Sequence, residues 1–190
     1  RDLHLSIRRQ RQMCIRDSLK AITFYEKIGT IYDKTQRIRN LAGLLSDELN
    51  INKEKVQVAA SISKSDLCSD LVGEYPELQG VMGKHFALAQ GFEEDVANSI
   101  NEHYLPIGLT SAIPKKPFSY SIAIVDKIDS LVGFFLINEK PTSSKDPFAL
   151  RRSAIGLLRI IIENKRHVFV FTTSFHFSRK IYIFTISLKS

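Results

Sequence analysis

The stretch PFSYSIAIVDKIDSLVGFFLI, residues 117–137, decides the fold. Pro117 suits the first turn of a helix, because its missing N–H group would have no helical partner there and its φ is already helical. The run Phe118–Ile137 is the most apolar of the chain, yet it contains Asp126, Lys127 and Asp129. Charges in the middle of a membrane span are costly. The stretch therefore predicts a helix buried inside a protein rather than one that crosses a membrane.

Helical spacing continues on both sides of this helix. Apolar residues recur on one stripe of the stretch 31–49, Asn52 suits an N-cap, Gly91 suits a helix end, and Pro106 suits a stop. These patterns predict an all-α fold of six or seven helices, with no strand before residue 166. The predicted helices are Leu19–Gly29, Ile31–Leu49, one from Asn52 to Leu71, one from Pro76 to Gly91, one beginning at Glu93, Phe118–Ile137 and one ending near Glu163.

The last helix follows the sequence KPTSSKDPFALRRSAIGLLRII, residues 140–161. Asp146 and Pro147 are predicted to be its N-cap and first helical residue. Its apolar positions predict a buried stripe, made of Leu150, Ala154, Leu157, Leu158 and Ile161.

The positive charge of the chain lies at its two ends. The formal net charge is +7, of which 1–18 carries +3 and 166–190 carries +4, so that 19–165 is neutral. A basic protein often binds nucleic acid or a membrane surface. The nature of the two ends therefore decides what the charge means.

Both ends are expected to be foreign to the fold. The octapeptide RQMCIRDS resembles a translated sequencing-adaptor remnant, so 1–18 is expected to be non-native; a basic arm that binds nucleic acid is the alternative. The segment 166–190 is rich in Phe, Ile, Thr and Ser and alternates like a strand at His167–Phe171 and Lys180–Phe184. A frameshifted or foreign tail is expected there, and a genuine terminal hairpin is the alternative.

No familiar catalytic motif is present in the sequence. There is no phosphate-cradling glycine loop, no CxxC pair and no HExxH motif, and no catalytic residue is predicted. Structural or surface roles are expected for His85 and His103. Cys14 and Cys68 make no disulfide framework, and no apolar signal-peptide region is seen, which favours a cytoplasmic location.

Two carboxylates, Asp66 and Asp126, lie on predicted apolar helices, where an unpaired charge is costly. The pattern resembles the HD domain, in which a His-Asp pair and a distant Asp bind a divalent metal. Ser65 stands where that family has histidine, and the region of the first histidine offers Lys34, Gln36 and Arg37. Ser65, Asp66 and Asp126 are therefore predicted to be degenerate HD positions without metal, in which basic side chains pair with the carboxylates. An HD-type metal-dependent phosphohydrolase is the alternative.

Longer blocks resemble the beta subunit of bacterial tetrameric glycyl-tRNA synthetase. They are KSDLCSDLVGEYPELQGVMGKHFALAQG (64–91), INEHYLPIG (100–108), AIVDKIDSLVGFF (123–135) and KPTSSKDPFALRRSAIGLLRIIIENK (140–165). The resemblance implies an internal fragment, with an HD-like helical domain at 19–138 and a basic loop and helix at 139–165 that lead to a missing C-terminal region.

The same resemblance implies a function. The alpha subunit of that enzyme forms glycyl-adenylate from ATP and glycine. The whole enzyme uses ATP and Mg²⁺, and the fragment would bind no cofactor itself. Its expected role is to bind and position glycine tRNA and to act as a scaffold, with the alpha subunit and a second beta subunit as partners and no membrane contact. A purely structural helical module is a further alternative.

The basic residues of 139–165 are the candidates for RNA contact. This segment has a net charge of +3, whereas 19–138 has −3. Phosphate contacts favour the basic segment, and the residues predicted to make them are Lys140, Lys145, Arg151 and Arg152. The N-terminus of the helix after Asp146 is a further possible anion site. The alternative is that these cations pair with neighbouring carboxylates or contact another part of the subunit.

Overall fold

A computed structural model describes residues 17–108, 110–142 and 145–164, and the backbone of residues 168–172 and 182–186. The described chain is mainly helical, as predicted. Two short strands, β1 (Thr23–Tyr25) and β2 (Gly29–Thr30), precede the helices. The helices are α1 (Ile31–Leu49), α2 (Lys53–Ile62), α3 (Asp70–Glu74), α4 (Val81–Ala89), α5 (Glu94–Glu102), α6 (Pro117–Leu136) and α7 (Leu150–Glu163), with 3-10 turns at Ser65–Cys68 and Pro76–Leu78.

Local side-chain bonds fix where these helices begin. Thr30 caps α1 in a capping box, in which its hydroxyl accepts from Asp33 N at 3.2 Å and the Asp33 carboxylate accepts from Thr30 N at 2.9 Å. Asn52 caps α2 by accepting from Lys55 N at 2.9 Å. Pro117 is the first residue of α6. The caps predicted at Asn52 and Pro117 are thus confirmed.

The core is built around α6. This helix packs against α1, α5 and α7, while α1 also packs along α2. Most of its side chains in the middle of the helix are buried in one continuous core: Tyr120, Ile122, Ala123, Ile124, Val125, Ile128 and Val132. The burial predicted for Phe118–Ile137 is therefore correct, and Asp129 and Lys127 are buried with it.

The helix predicted at Leu19–Gly29 is wrong. Residues 17–21 are helical, but β1 and β2 then form an antiparallel hairpin. Gly29 has φ +109°, a left-handed value that glycine accepts readily and that ends any helix here. Side chains of the hairpin then pack on Phe134, Phe148 and Leu150, and this contact offsets the low stability of an isolated hairpin.

Three further helix boundaries differ from the prediction. α4 begins at Val81 instead of Pro76, because Pro76–Leu78 is a 3-10 turn and Gly80, with φ +82°, separates it from the helix. α2 ends at Ile62 instead of continuing to Leu71, because Ser63 and Ser65 turn their hydroxyls back onto the carbonyls of Ala60 and Ile62 and Lys64 leaves the helical region with φ −111°. The stretch to Leu71 is a 3-10 turn and the short helix α3.

α7 begins at Leu150 rather than directly after Asp146. Ala149 adopts φ +52° before the first turn, so Asp146 and Pro147 are not the N-cap and first residue. Asp146 still serves the helix end, because its carboxylate accepts from Leu150 N at 2.8 Å and Arg151 N at 3.0 Å. The predicted stripe is right for Leu150, Leu157 and Ile161, but Leu158 is 45% exposed and Ile160 is buried instead.

The two ends set apart by sequence lie largely outside the described residues. Residues 1–16 are outside them, and in 166–190 only two backbone strands are described, β3 (Val168–Thr172) and β4 (Tyr182–Ile186). These strands pair antiparallel, with Val168 opposite Ile186. No helix within the described ranges is long and apolar enough to cross a membrane.

Candidate functional site

The first candidate site is a set of buried and half-buried charged side chains between α1, α5 and α6, here called the ionic cluster. It brings together four elements of the chain that are distant in sequence. Its members are Lys34, Arg37, Lys64, His103, Asp126, Lys127 and Asp129.

Asp126 is held by two lysines, one on each carboxylate oxygen. Lys34 Nζ lies 2.9 Å from Oδ1, as an ion pair without hydrogen-bond alignment, and Lys64 Nζ donates to Oδ2 at 3.0 Å. Burial alone would raise the pKa of Asp126, but Lys34 and then Lys64 outweigh it and hold that pKa well below its ordinary value. The predicted pairing of this carboxylate with basic residues is therefore correct.

Asp129 completes the cluster on the α1 side. Arg37 contacts it with two nitrogens, Nε to Oδ1 at 2.5 Å and Nη2 to Oδ2 at 3.2 Å. Lys34 reaches the same carboxylate at 3.2 Å and donates to Ser130 Oγ at 2.7 Å. A two-point contact of this kind fixes geometry more strongly than a single ion pair. Asp129 was not among the predicted site residues, although its spacing of three from Asp126 places both on one helix face.

His103 is buried against the ammonium group of Lys64. Its Nδ1 lies 2.7 Å from the Ile100 carbonyl, so Nδ1 must carry the proton, and Nε2 accepts from Lys64 Nζ at 2.9 Å. Burial, and then the nearby Lys64, hold the pKa of His103 well below its ordinary value. The imidazole is neutral and acts as a structural acceptor.

Lys127 faces away from the carboxylates and ties down the end of α5. Its ammonium donates to the Leu105 carbonyl at 2.8 Å and to the His103 carbonyl at 3.5 Å. Burial lowers the pKa of Lys127 to about 8, the nearby Asp126 opposes this, and Lys64 and Lys34 add to it. Lys34, Arg37 and Lys64 thus share two carboxylates, and Lys127 adds a further cation without an ion pair to either of them.

Asp66 lies outside this ion-pair network. Its Oδ2 accepts from Gly80 N at 2.5 Å, and its Oδ1 accepts no hydrogen bond from any residue that the structure describes. Burial raises the pKa of Asp66. The lysine or arginine predicted to pair with Asp66 is replaced by a backbone N–H group, which Gly80 presents from φ +82°.

These donors do not fit the divalent metal of an HD domain. Lys34 and Lys64 already occupy both oxygens of Asp126, and Lys64 occupies the free nitrogen of His103. Ser65 donates its hydroxyl to the Ile62 carbonyl at 2.7 Å and offers no imidazole. Within the described ranges, no three His, Cys, Asp or Glu side chains come close enough together to hold a metal ion.

The second candidate site is the segment Glu139–Asn164, here called the basic segment. The side chains of Lys140, Lys145 and Arg152 are exposed, and none of them has an ion-pair partner among the residues that the structure describes. Arg151 is exposed but donates from Nη2 to the Thr142 carbonyl. The structure therefore separates Arg151, which holds the loop, from the other three predicted residues.

The loop before α7 is closed by short-range bonds. Thr142 N donates to the Lys145 carbonyl at 2.9 Å, and Lys145 N donates to Thr142 Oγ1 at 3.2 Å. The first N–H groups of α7 already have an anion, because the Asp146 carboxylate accepts from Leu150 and Arg151. That end of α7 is consequently filled by the chain's own carboxylate, and the exposed cations are left as the candidates for anion binding.

A group of three aromatic rings packs against the start of the basic segment. Phe148 stacks on Phe134 with ring centroids 4.2 Å apart, and Tyr25 meets both rings edge-on at 5.2 Å and 5.4 Å. The Tyr25 hydroxyl also donates to Glu139 Oε1 at 3.2 Å. Sequence analysis could not predict this contact, because Tyr25 and Phe148 are far apart in the chain and only the fold brings them together.

Comparison with known proteins gives the class first: residues 8–180 match the family model described as glycyl-tRNA synthetase beta subunit, which is a subunit of an aminoacyl-tRNA synthetase. The chain belongs to the glycyl-tRNA synthetase beta subunit family. The resemblance seen in the sequence is thereby confirmed.

Individual relatives agree with this family. The chain is 46% identical over 152 residues to the glycine–tRNA ligase beta subunit of Rhodospirillum centenum, which covers 78% of the chain and 21% of the relative. It is 47% identical over 153 residues to that of Phenylobacterium zucineum, with 78% and 23% covered. For Dinoroseobacter shibae the identity is 44% over 149 residues, with 78% and 21% covered. The alignments thus span only about a fifth of the length of these relatives.

Proposed function

We propose that this chain is the part of a glycine–tRNA ligase beta subunit that holds the tRNA through its basic segment. The alpha subunit and a second beta subunit are its assembly partners, in the cytoplasm where tRNA is charged. Glycine activation with ATP and Mg²⁺ belongs to the other parts of the enzyme. Membership of the family supports this assignment, and the basic segment supplies the surface.

The observation that carries the proposal is the group of three exposed cations on a closed loop and helix start. Lys140, Lys145 and Arg152 have no carboxylate of the described chain to neutralise them. A phosphate backbone gains affinity from such cations by releasing its counterions. Because the loop is held by Thr142, Asp146 and Arg151, little ordering entropy is lost when phosphate binds.

The ionic cluster has a different role in this proposal. It is a structural centre that joins α1, α5 and α6, and its lysines stand in the way of metal chemistry at Asp126. An HD-type phosphohydrolase needs a metal-bound water, which this donor set does not favour. The degenerate positions Ser65, Asp66 and Asp126 are therefore assigned to the fold rather than to catalysis.

Binding of tRNA as a function of salt tests the proposal. The purified chain is titrated with a glycine tRNA transcript at several salt concentrations, and the same titration is made with the triple variant Lys140→Ala, Lys145→Ala, Arg152→Ala. We expect the slope of log affinity against log salt to become shallower by about two to three, since each lost phosphate contact removes about one.

The matched control removes three other exposed cations, with Arg39→Ala, Lys53→Ala and Lys55→Ala. It changes the net charge by the same amount but should leave the slope close to that of the wild type. Equal slopes for the triple variant and the wild type would overturn the assignment of the basic segment. Association with the alpha subunit in the absence of any tRNA affinity would instead favour a purely structural module.

A further inference from the structure

The hairpin β1–β2 lies between the ionic cluster and the basic segment and contacts both. On the cluster side, Arg37 Nη1 donates to the Ile28 carbonyl at 3.4 Å, and Lys34 Nζ lies 4.7 Å from the centre of the Phe24 ring. Arg37 and Lys34 are themselves fixed by Asp129 and Asp126. The backbone of this short hairpin is therefore tied to the most rigidly paired part of the bundle.

On the other side, one residue of the hairpin touches both ends of the loop that carries the cations. Tyr25 donates its hydroxyl to Glu139, where the loop begins, and places its ring edge-on against Phe148, just before α7. Between these points the loop contains no helix or strand within residues 139–142 and 145–149. Tyr25 thus contacts both ends of this loop at once, and so does Phe134, whose carbonyl accepts from Glu139 N at 2.9 Å and whose ring stacks on Phe148.

We propose that the hairpin β1–β2 holds the basic segment in its RNA-binding position and that Tyr25 is the positioning residue. The inference rests on the proposed function, because it concerns how the same cations are presented. It goes further in assigning a role to an uncharged residue more than a hundred positions away in sequence.

The physical reason is that phosphates in a nucleic acid have a fixed spacing. Cations placed at matching positions gain several contacts together, whereas cations on a mobile loop must first be ordered. Tyr25 is uncharged at neutral pH, so its removal changes the position of the cations without changing their number. Charge and position can therefore be separated by experiment.

Two substitutions at Tyr25 test the inference. Tyr25→Phe removes only the hydroxyl, and Tyr25→Ala also removes the ring; Tyr75→Phe, at an exposed tyrosine elsewhere, is the control. We expect tRNA affinity to fall about two- to threefold in Tyr25→Phe and at least tenfold in Tyr25→Ala, with a shallower salt slope in the latter because fewer phosphates are contacted together. The control should match the wild type.

Limited trypsin digestion reports the loop directly, without RNA. Cleavage after Lys145 should be faster in both Tyr25 variants than in the wild type, and fastest in Tyr25→Ala, whereas the bond after Lys140 is followed by Pro141 and resists trypsin in every variant. Unchanged cleavage would overturn the inference. Faster cleavage with unchanged tRNA affinity would also overturn it while leaving the proposed function in place. Absence of tRNA binding by the wild type would overturn the proposed function, and the cleavage rates would still decide whether the hairpin holds the segment.

A pair of substitutions at Glu139 gives a second test if Tyr25→Ala does not fold. Glu139→Gln and Glu139→Ala remove the same negative charge, but only Gln keeps an acceptor for the Tyr25 hydroxyl. If only charge matters, both variants should bind tRNA with the same affinity, slightly tighter than the wild type. Positioning by Tyr25 predicts weaker binding in Glu139→Ala than in Glu139→Gln, and equal affinities would contradict it.

Discussion

Asp126 receives an ammonium group on each of its two carboxylate oxygens, from Lys34 at 2.9 Å and from Lys64 at 3.0 Å. Lys64 also donates to His103, and Lys34 also contacts Asp129. Each of these side chains satisfies a buried neighbour that water cannot reach. The cost of burying a charge is thus offset by mutual pairing, and each member depends on the others.

Substituting Asp126 should show this dependence. Asp126→Asn keeps the shape of the side chain but leaves Lys64 and Lys34 without the charge they share, so we expect the free energy of unfolding to fall by about 3 kcal/mol in urea titrations. As a control, Asp47→Asn breaks an exposed ion pair with Lys53, and its free energy of unfolding should equal that of the wild type within error. Equal stability of Asp126→Asn and wild type would mean that the cluster contributes specificity only.

Lys127 gives a pH dependence with a definite sign. Its pKa is about 8 in the folded chain against 10.5 as the ordinary value, because burial outweighs the attraction of Asp126, and Lys64 and Lys34 disfavour a further charge. Between pH 8 and 9.5 the folded chain releases this proton while the unfolded chain retains it. The contribution of Lys127 to the free energy of unfolding therefore rises as the pH increases above about 8, and it is lost again as the pH falls through 8.

The measurement is the free energy of unfolding as a function of pH for the wild type and for Lys127→Met, and the difference between the two curves isolates Lys127. Lys127→Met should lack the rise of about 1.5 kcal/mol that Lys127 contributes between pH 8 and 9.5. The raised pKa of Cys68, caused by burial, acts in the opposite direction in both proteins and cancels in the difference. Lys53→Met, at an exposed lysine, should keep the wild-type curve. Parallel curves for the wild type and Lys127→Met would show that the pKa of Lys127 is not lowered in the folded chain.

The sequence identified Asp66 and Asp126 as site carboxylates but missed Asp129 and some of the partners. Asp66 and Asp126 stand out because charged residues interrupt apolar helices, and the pairing of Asp126 with lysine follows from the missing histidines. The Gly80 N–H group that serves Asp66 could not be predicted, since it depends on a left-handed backbone 14 residues away. The burial of His103 likewise depends on packing between α5 and α6.

At the scale of elements, long periodic helices were predicted well and short irregular ones were not. α1 and α6 have caps and apolar stripes that are local in sequence, so Ile31–Leu49 and the stretch after Pro117 were located correctly. The hairpin β1–β2 has only five residues in its strands, and its stability comes from Phe134 and Phe148 far along the chain. A pattern that short cannot outweigh helical spacing when the sequence is considered alone.

The start of α7 shows how a correct local signal can give a wrong boundary. Asp146 caps the helix as its residue type suggests, yet it does so across a turn in which Ala149 is left-handed. The turn lets Phe148 reach the aromatic stack and exposes Lys145 and Arg152. The helix therefore starts three residues later than Pro147, and Phe148, in the intervening turn, contacts the hairpin through Tyr25.

At the scale of the whole molecule, the distribution of charge separates structure from proposed function. Within 19–165 the net charge is zero, but 19–138 carries −3 and 139–165 carries +3. The cations of the first part include the four of the ionic cluster, of which three are buried and Arg37 is half-buried, whereas those of the second part lie mostly on the surface. We therefore expect RNA affinity to follow the local net charge and to reside in the basic segment.

The same distribution predicts that the chain is stable without a divalent ion. A metal at Asp126 would have to displace two ammonium groups that already neutralise both oxygens, and His103 could coordinate it only after releasing Lys64. We expect tag-free chain, incubated with one equivalent of Mn²⁺ and gel-filtered, to retain less than about 0.1 ion per chain, and EDTA to leave its thermal midpoint unchanged. Stoichiometric Mn²⁺ that is lost in Asp66→Ala, together with hydrolysis of a phosphate ester, would restore the phosphohydrolase alternative. The thermal midpoints with and without EDTA separate the two cases. A structural metal raises the midpoint because it binds only the folded chain, whereas Lys34 and Lys64 belong to the chain and stabilise the fold at every metal concentration.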